Sequence, residues 1–99
     1  MLLVQTGTAN APSILSTSPA MTANTNRAGW SIQNLSTNVL YVRLGTAAST
    51  SIFHFALKAG TSNDDGTGGS VSQTDGTVYN GIISIAGSTP RYTVLEIVP

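Results

Sequence analysis

From Trp30 the pattern becomes β-like, with apolar side chains at every second position in several short stretches. Trp30 and Ile32 lead to Leu35 and then to a short polar turn, Ser36-Thr37-Asn38. Residues 39–44 alternate, with Leu40, Val42 and Leu44 on one face and Val39, Tyr41 and Arg43 on the other. A period of two marks half-buried strands. The spacing predicts an antiparallel hairpin over 30–44, closed by a two- or three-residue loop and ended at Gly45. In residues 52–57, Phe53, Phe55 and Leu57 share a face, and the lone His54 sits between them. Residues 58–77 carry one large apolar residue, Val71, among Gly, Ser, Thr and Asp, and read as a long loop of the kind used for function or assembly. Asp75-Gly76 and Asn80-Gly81 stand too close together to be two hairpin tips. A continuous strand over 77–86 is expected, with Gly81 at a bulge or a close backbone approach and Tyr79, Ile83 and Ile85 on its face. Residues 87–91 form a turn, and 92–98 alternate again, with Leu95 and Ile97 expected inward and Glu96 outward.

No window has a helical period. Residues 5–29 hold only Ile14, Leu15 and Met21 as large apolar side chains, and Pro12 and Pro19 break up any helix. The pattern therefore predicts an all-β fold: a small antiparallel β-sandwich, jelly-roll or Greek-key like, over 30–99, with an extended N-terminal arm over 1–29.

Composition sharpens this picture. The 99 residues include 24 Ile, Leu, Val and Phe, enough to drive collapse, and formal net charge is zero. Charged residues are 8%, against about 25% in an ordinary soluble domain, and Thr (14), Ser (12), Gly (10) and Asn (7) take their place. Four scattered cations cannot neutralise a phosphate backbone, so nucleic acid is not an expected partner. The apolar runs are far shorter than a membrane helix needs, and Met1-Leu2-Leu3-Val4 lacks the features of a secretory signal. Without Cys, disulfides and thiolate chemistry are excluded. A small sandwich without staples, whose strand edges carry few charges, gains stability by covering those edges with copies of itself or a larger body.

Candidate chemistry is sparse. His54 is the only imidazole, lies in an apolar stretch and has no G-x-S-x-G elbow to serve, so it reads as a structural or interface residue. Of the four carboxylates, Asp64, Asp65 and Asp75 lie in or beside the Gly-rich stretch, where Asp forms turns, and only Glu96 sits in a strand. Asn63-Asp64-Asp65-Gly66-Thr67 lacks the alternation and closing Glu of a calcium loop, and residues 60–69 lack the G-K-[ST] of a phosphate loop. Asn34-Leu35-Ser36 matches a glycosylation sequon that carries no weight by itself. No catalytic, cofactor or metal residues are assigned, and no small-molecule substrate is expected. Trp30, Tyr41, Tyr79 and Tyr92 could stack on sugars if exposed, which keeps a second reading open: a fibre or tail adhesion module binding host-surface carbohydrate.

The stretch Asn26-Arg27-Ala28-Gly29-Trp30-Ser31-Ile32-Gln33-Asn34-Leu35-Ser36, followed by Leu40-Tyr41-Val42-Arg43-Leu44-Gly45, resembles small virion structural proteins of tailed bacteriophages. Val78-Tyr79-Asn80-Gly81-Ile82-Ile83-Ser84-Ile85 and Val94-Leu95-Glu96-Ile97 extend the likeness to about half the chain. The resemblance implies a non-enzymatic β-sandwich on the head or tail. Taken with the charge-poor surface, it leads to the expectation of a capsid decoration or cement protein on the phage head. Its partners would be the major capsid protein and copies of itself, as a trimer or other cluster. Leu2, Leu3 and Val4 would add an edge strand, and Tyr41 and Arg43 would be further assembly contacts. Physically, Arg27 can anchor the entry to the first strand, Trp30 and Ile32 fill the core, and Gln33-Asn34 satisfy backbone groups where the strand bends. Deleting 1–26 is expected to weaken particle binding and leave the β core folded.

Overall fold

The computed structural model describes residues 7–10 and 13–99, so Leu2, Leu3 and Val4, with the edge strand expected of them, lie outside the described residues. Seven strands form: β1 (Thr8–Asn10), β2 (Gly29–Asn34), β3 (Leu40–Leu44), β4 (Phe55–Leu57), β5 (Ser70–Gln73), β6 (Ile83–Ala86) and β7 (Tyr92–Val98). Among the described residues there is no helix, and so none long and apolar enough to cross a membrane. The strands make two antiparallel sheets, a four-stranded one in the order β1-β7-β2-β5 and a three-stranded one in the order β4-β3-β6. The chain is the small all-β sandwich that its alternation predicts.

The sheets meet over Trp30 and Ile32 of β2, Leu40 and Val42 of β3, Leu57, Ile83 and Ile85, and Tyr92 and Val94 of β7, all buried. Burying each such side chain contributes roughly 1.5–3 kcal/mol. Trp30 reaches across to Phe55 at 6.5 Å between ring centroids, and its Nε1–H donates to Gln73 Oε1 at 3.1 Å. The segment before β2 is extended and belongs to this core. Leu15 bridges to Tyr92, Met21 bridges to Ile83, and Ala20 and Met21 are each 7% exposed. Removing 1–26 would therefore open the core, contrary to the expectation that the sandwich survives that deletion.

Several local expectations are corrected. β2 and β3 do not form a hairpin: β2 pairs with β5 and β7, while β3 pairs with β4 and β6. Leu35 to Val39 instead carries the chain from one sheet to the other. Buried Asn34 makes that possible, since its side chain supplies the hydrogen bonds that a hairpin ladder would have made. Its Nδ2 donates to the carbonyls of Asn38 (2.8 Å), Lys58 (3.1 Å) and Leu57 (3.3 Å), and its Oδ1 accepts from Ser36 N–H (3.0 Å) and Ser36 Oγ (2.8 Å). The stretch 58–77 is not one long loop, because β5 runs within it and pairs with β2 from Trp30↔Gln73 to Gln33↔Ser70. An edge strand open to water on one side needs few apolar residues, which hid β5 from a hydrophobic pattern.

The continuous strand expected over 77–86 shrinks to β6. Tyr79 folds back over Gly81, where a Cβ would lie 2.5 Å from the phenol oxygen. Arg27 then takes the carbonyls of Tyr79 (3.2 Å) and Gly81 (2.8 Å) that a sheet ladder would have used. In β7 the inward face belongs to Tyr92, Val94 and Glu96, and Leu95 and Ile97 lie on the opposite, half-buried face. Glu96 can face inward because Arg27 Nε donates to its Oε2 at 2.9 Å. A carboxylate with a guanidinium partner does not need bulk water.

Candidate interaction face

The outer side of the three-stranded sheet carries the largest aromatic exposure described. Alternation along β3 puts Tyr41 and Arg43 outward, in line with Val39 just before the strand. Tyr41 pairs with Ala56 of β4 on one side and Ala86 of β6 on the other, so small neighbours leave its ring standing above the sheet. Phe53 packs on that ring at 4.7 Å between centroids and a 54° tilt, a geometry suited to aromatic quadrupoles. Ile52, Phe53 and Val39 are 52%, 39% and 38% exposed.

The connection from β3 to β4 holds Ile52 and Phe53 in place. Ser49 and Ile52 exchange backbone hydrogen bonds (3.0 and 3.3 Å), and Ser49 Oγ accepts from the Ile52 N–H at 3.0 Å. Ala47 takes a left-handed φ of 60°. Ser84 Oγ donates to Gly45 O at 2.7 Å and accepts from Ala48 N–H at 3.0 Å, which sews the start of the loop onto β6. His54 is exposed, and its Nδ1 accepts the Leu44 N–H at 3.0 Å, closing the loop's far end. His54 thus has a structural part in presenting the face. Arg43 folds over Gly45 towards Ala47 O, and among the described residues no carboxylate pairs with it. The face combines apolar rings, two branched aliphatic side chains and a cation with spare donors. Such a set can bury apolar side chains and bind carbonyl oxygens at its margin.

Alternation along the sequence found Tyr41 and Arg43 and missed their companions. Phe53 was expected beside Phe55 and Leu57, but β4 begins at Phe55, and the backbone bond from His54 N–H to Val42 O (2.7 Å) marks where the face changes. Phe53 therefore joins the outer surface. Nothing in the local pattern distinguishes it from an inward Phe.

A polar cleft of about 390 Å³ is lined by Ser16, Ser36, Asn38, Asn63, Thr89 and Arg91 among others. The Arg91 guanidinium is already held by Asp64, with both N···O distances 2.6 Å. That hydrogen-bonded pairing lowers the Asp64 pKa from its ordinary value and raises that of Arg91. Next to it, Asp65 is held at about 2 by hydrogen bonds from Thr67 and Ser62. These carboxylates serve the loop's own turns, and among the described residues no group of three His, Asp or Glu side chains gathers as a metal site.

The other aromatics that could have stacked on a sugar are committed elsewhere. Trp30 is 1% exposed and Tyr92 is fully buried, with its hydroxyl donating to Thr17 O. Tyr79 donates its hydroxyl to Ile82 O at 3.0 Å. Tyr41, half-buried like Tyr79, keeps its ring on the outer face of the sheet with Phe53 against it. Comparison of the chain with protein-family models, with curated proteins and with solved structures finds no match.

Proposed function

We propose that this chain is a non-enzymatic structural subunit of a tailed-phage virion, a capsid decoration or cement protein that works by adding interface area to the head shell. The observation that carries this reading is the outer face of the three-stranded sheet. Val39, Ile52 and Phe53 are exposed there beside half-buried Tyr41, and Ile52 and Phe53 lie on a loop tied down by backbone and side-chain hydrogen bonds at Gly45, Ala48, Ser49, Ile52 and His54. A rigidly presented apolar face loses little conformational freedom when it is covered, so most of its burial, roughly 25 cal/mol per Å², goes into association. The remaining surface offers hydroxyls, amides and backbone groups, whose contacts depend little on salt, in contrast to exposed ion pairs. The likeness of residues 26–45 to small virion proteins supplies the setting, with the major capsid protein and further copies of this chain as partners.

The test is co-sedimentation of the purified chain with phage heads prepared without it, together with the temperature at which those heads rupture. The expected result is saturable binding that raises the rupture temperature and weakens in Tyr41→Ser and Ile52→Ser. Heads that neither bind the chain nor gain stability would overturn the proposal. The carbohydrate-binding reading is less supported, because Trp30 and Tyr92 are buried and Tyr79 is folded over Gly81 with its hydroxyl bonded, which leaves the Tyr41–Phe53 pair as the open aromatic surface. In that light Trp30→Ala reports on folding rather than on sugar binding.

A further inference from the structure

We infer that Asn80 is a site of spontaneous modification held in check by Arg27: its side chain closes on the Gly81 nitrogen and passes to aspartate or isoaspartate when that clamp opens.

The chemistry starts in the sequence. Of the seven Asn residues, only Asn80 is followed by Gly. A side chain on the following residue crowds the approach to its nitrogen, and glycine has none. Asn80 is exposed, in the stretch between β5 and β6, and among the described residues the Gly81 N–H donates to no protein group. Once that N–H loses its proton to hydroxide, the Gly81 nitrogen attacks Asn80 Cγ. A Cγ–N bond forms, the bond to Nδ2 breaks, and Nδ2 takes a proton from water and leaves as ammonia. Water then opens the cyclic imide. Attack at Cγ gives aspartate, and attack at the main-chain carbonyl carbon gives isoaspartate. Water is the sole co-reactant, and nothing is oxidised or reduced.

The fold decides when this happens. The Gly81 nitrogen can swing towards Cγ only with its whole planar peptide group. The oxygen of that group, Asn80 O, accepts the Asn24 N–H at 2.8 Å. The carbonyls on either side are held too, because Arg27 Nη1 donates to Tyr79 O (3.2 Å) and Gly81 O (2.8 Å). Arg27 is buried, with Nε anchored on Glu96, Nη2 on Thr22 O and its own N–H on Asn24 O at 3.0 Å. Three successive carbonyls are thus fixed by one turn. Ring closure waits for that turn to let go, and a hydrogen bond to a charged group makes such an opening at least about tenfold rarer.

The product does not fit the clamp. Isoaspartate adds a methylene to the main chain between Tyr79 and Gly81, and the oxygen that Asn24 held becomes part of a free carboxylate. Arg27 ties Glu96 of β7 to the approach to β6, so the change loosens a link between the two sheets.

The full chain is kept in mildly alkaline buffer, folded or in urea, and followed by peptide mass mapping and isoaspartate-specific methylation. Asn80 should convert ahead of the other Asn residues, faster at higher pH, and at least about tenfold slower folded than unfolded. Arg27→Lys, whose single ammonium cannot replace the fork, should restore most of the lost rate. Glu96→Gln leaves the guanidinium in place but weakens its anchor, and it answers the question if the Lys variant does not fold. Asn34→Ala lowers overall stability without touching the clamp and should leave the folded rate unchanged. An Asn80 that stays intact in urea overturns the site. Equal rates folded and unfolded, clamp variants that convert no faster than the intact chain, or an equal acceleration in Asn34→Ala each overturn the guarding by Arg27. The isolated isoaspartate form should unfold at lower urea than Asn80→Asp, and equal midpoints overturn the loosening of the sheets.

Discussion

Replacing Asn34 by Ala should cost this protein about 3 kcal/mol, and the figure follows from which partners are stranded. Asn38 O keeps the Ser36 hydroxyl at 2.8 Å, and Lys58 O keeps the Gly69 N–H at 2.8 Å, so neither of these two is orphaned when the amide goes, while buried Leu57 O loses the amide donor. The Ser36 N–H, which donates to Asn34 Oδ1 within a residue only 3% exposed, loses its acceptor. A buried polar group left unsatisfied costs about 1–3 kcal/mol, and each of the other hydrogen bonds lost costs about 1. For a 99-residue domain, 3 kcal/mol corresponds to a fall in Tm of about 12–24 °C.

Asn34→Asp separates hydrogen bonding from shape. It keeps the acceptor for Ser36 and replaces the donor with an oxygen aimed at three carbonyls. Its ionised form is disfavoured in the folded state, so the new carboxyl's folded pKa rises above its unfolded value of about 3.9. The sign follows: stability is retained below the unfolded pKa and lost as pH rises through the folded pKa. Urea denaturation of both variants between pH 3 and 8 checks this. A loss below about 1 kcal/mol for the Ala variant, or an Asp variant whose deficit does not deepen as pH rises, would refute the reasoning.

Arg27→Ala should cost about 3–5 kcal/mol, because it abandons a partly buried Glu96 and the carbonyls of Thr22, Tyr79 and Gly81; adding Glu96→Gln should recover part of that loss in denaturant melts. Gly68→Ala should prevent stable folding, since the new Cβ would lie 2.0 Å from Asn34 O. Gly66→Ala, at φ +82° with nothing within 4 Å, should cost only about 1–2 kcal/mol, and circular-dichroism melts of the two distinguish contact from backbone strain. Burial pushes the Tyr92 phenol up to about 12, above its unfolded value of about 10. Its contribution of about 2–3 kcal/mol is therefore full below pH 10 and lost as pH rises towards 12, which phenolate absorbance and alkaline unfolding of Tyr92→Phe should show.

The all-β character, the strands at 30–34, 40–44 and 92–98, and the outward placement of Tyr41 and Arg43 were legible in the alternation alone, because side-chain direction in a strand depends only on parity. Arg27 and Asn34 also declared themselves as polar residues at strand ends that needed partners. Parity cannot say which sheet a strand joins. That Asn34 would carry the chain across the sandwich, that Glu96 would face inward against Arg27, and that Phe53 would turn out onto Tyr41 depended on residues 12 to 69 positions apart meeting in space. Local pattern sets which side chains of a strand share a face; only the closed sandwich decides which face is inward and supplies the distant partner that makes a buried charge or amide tolerable.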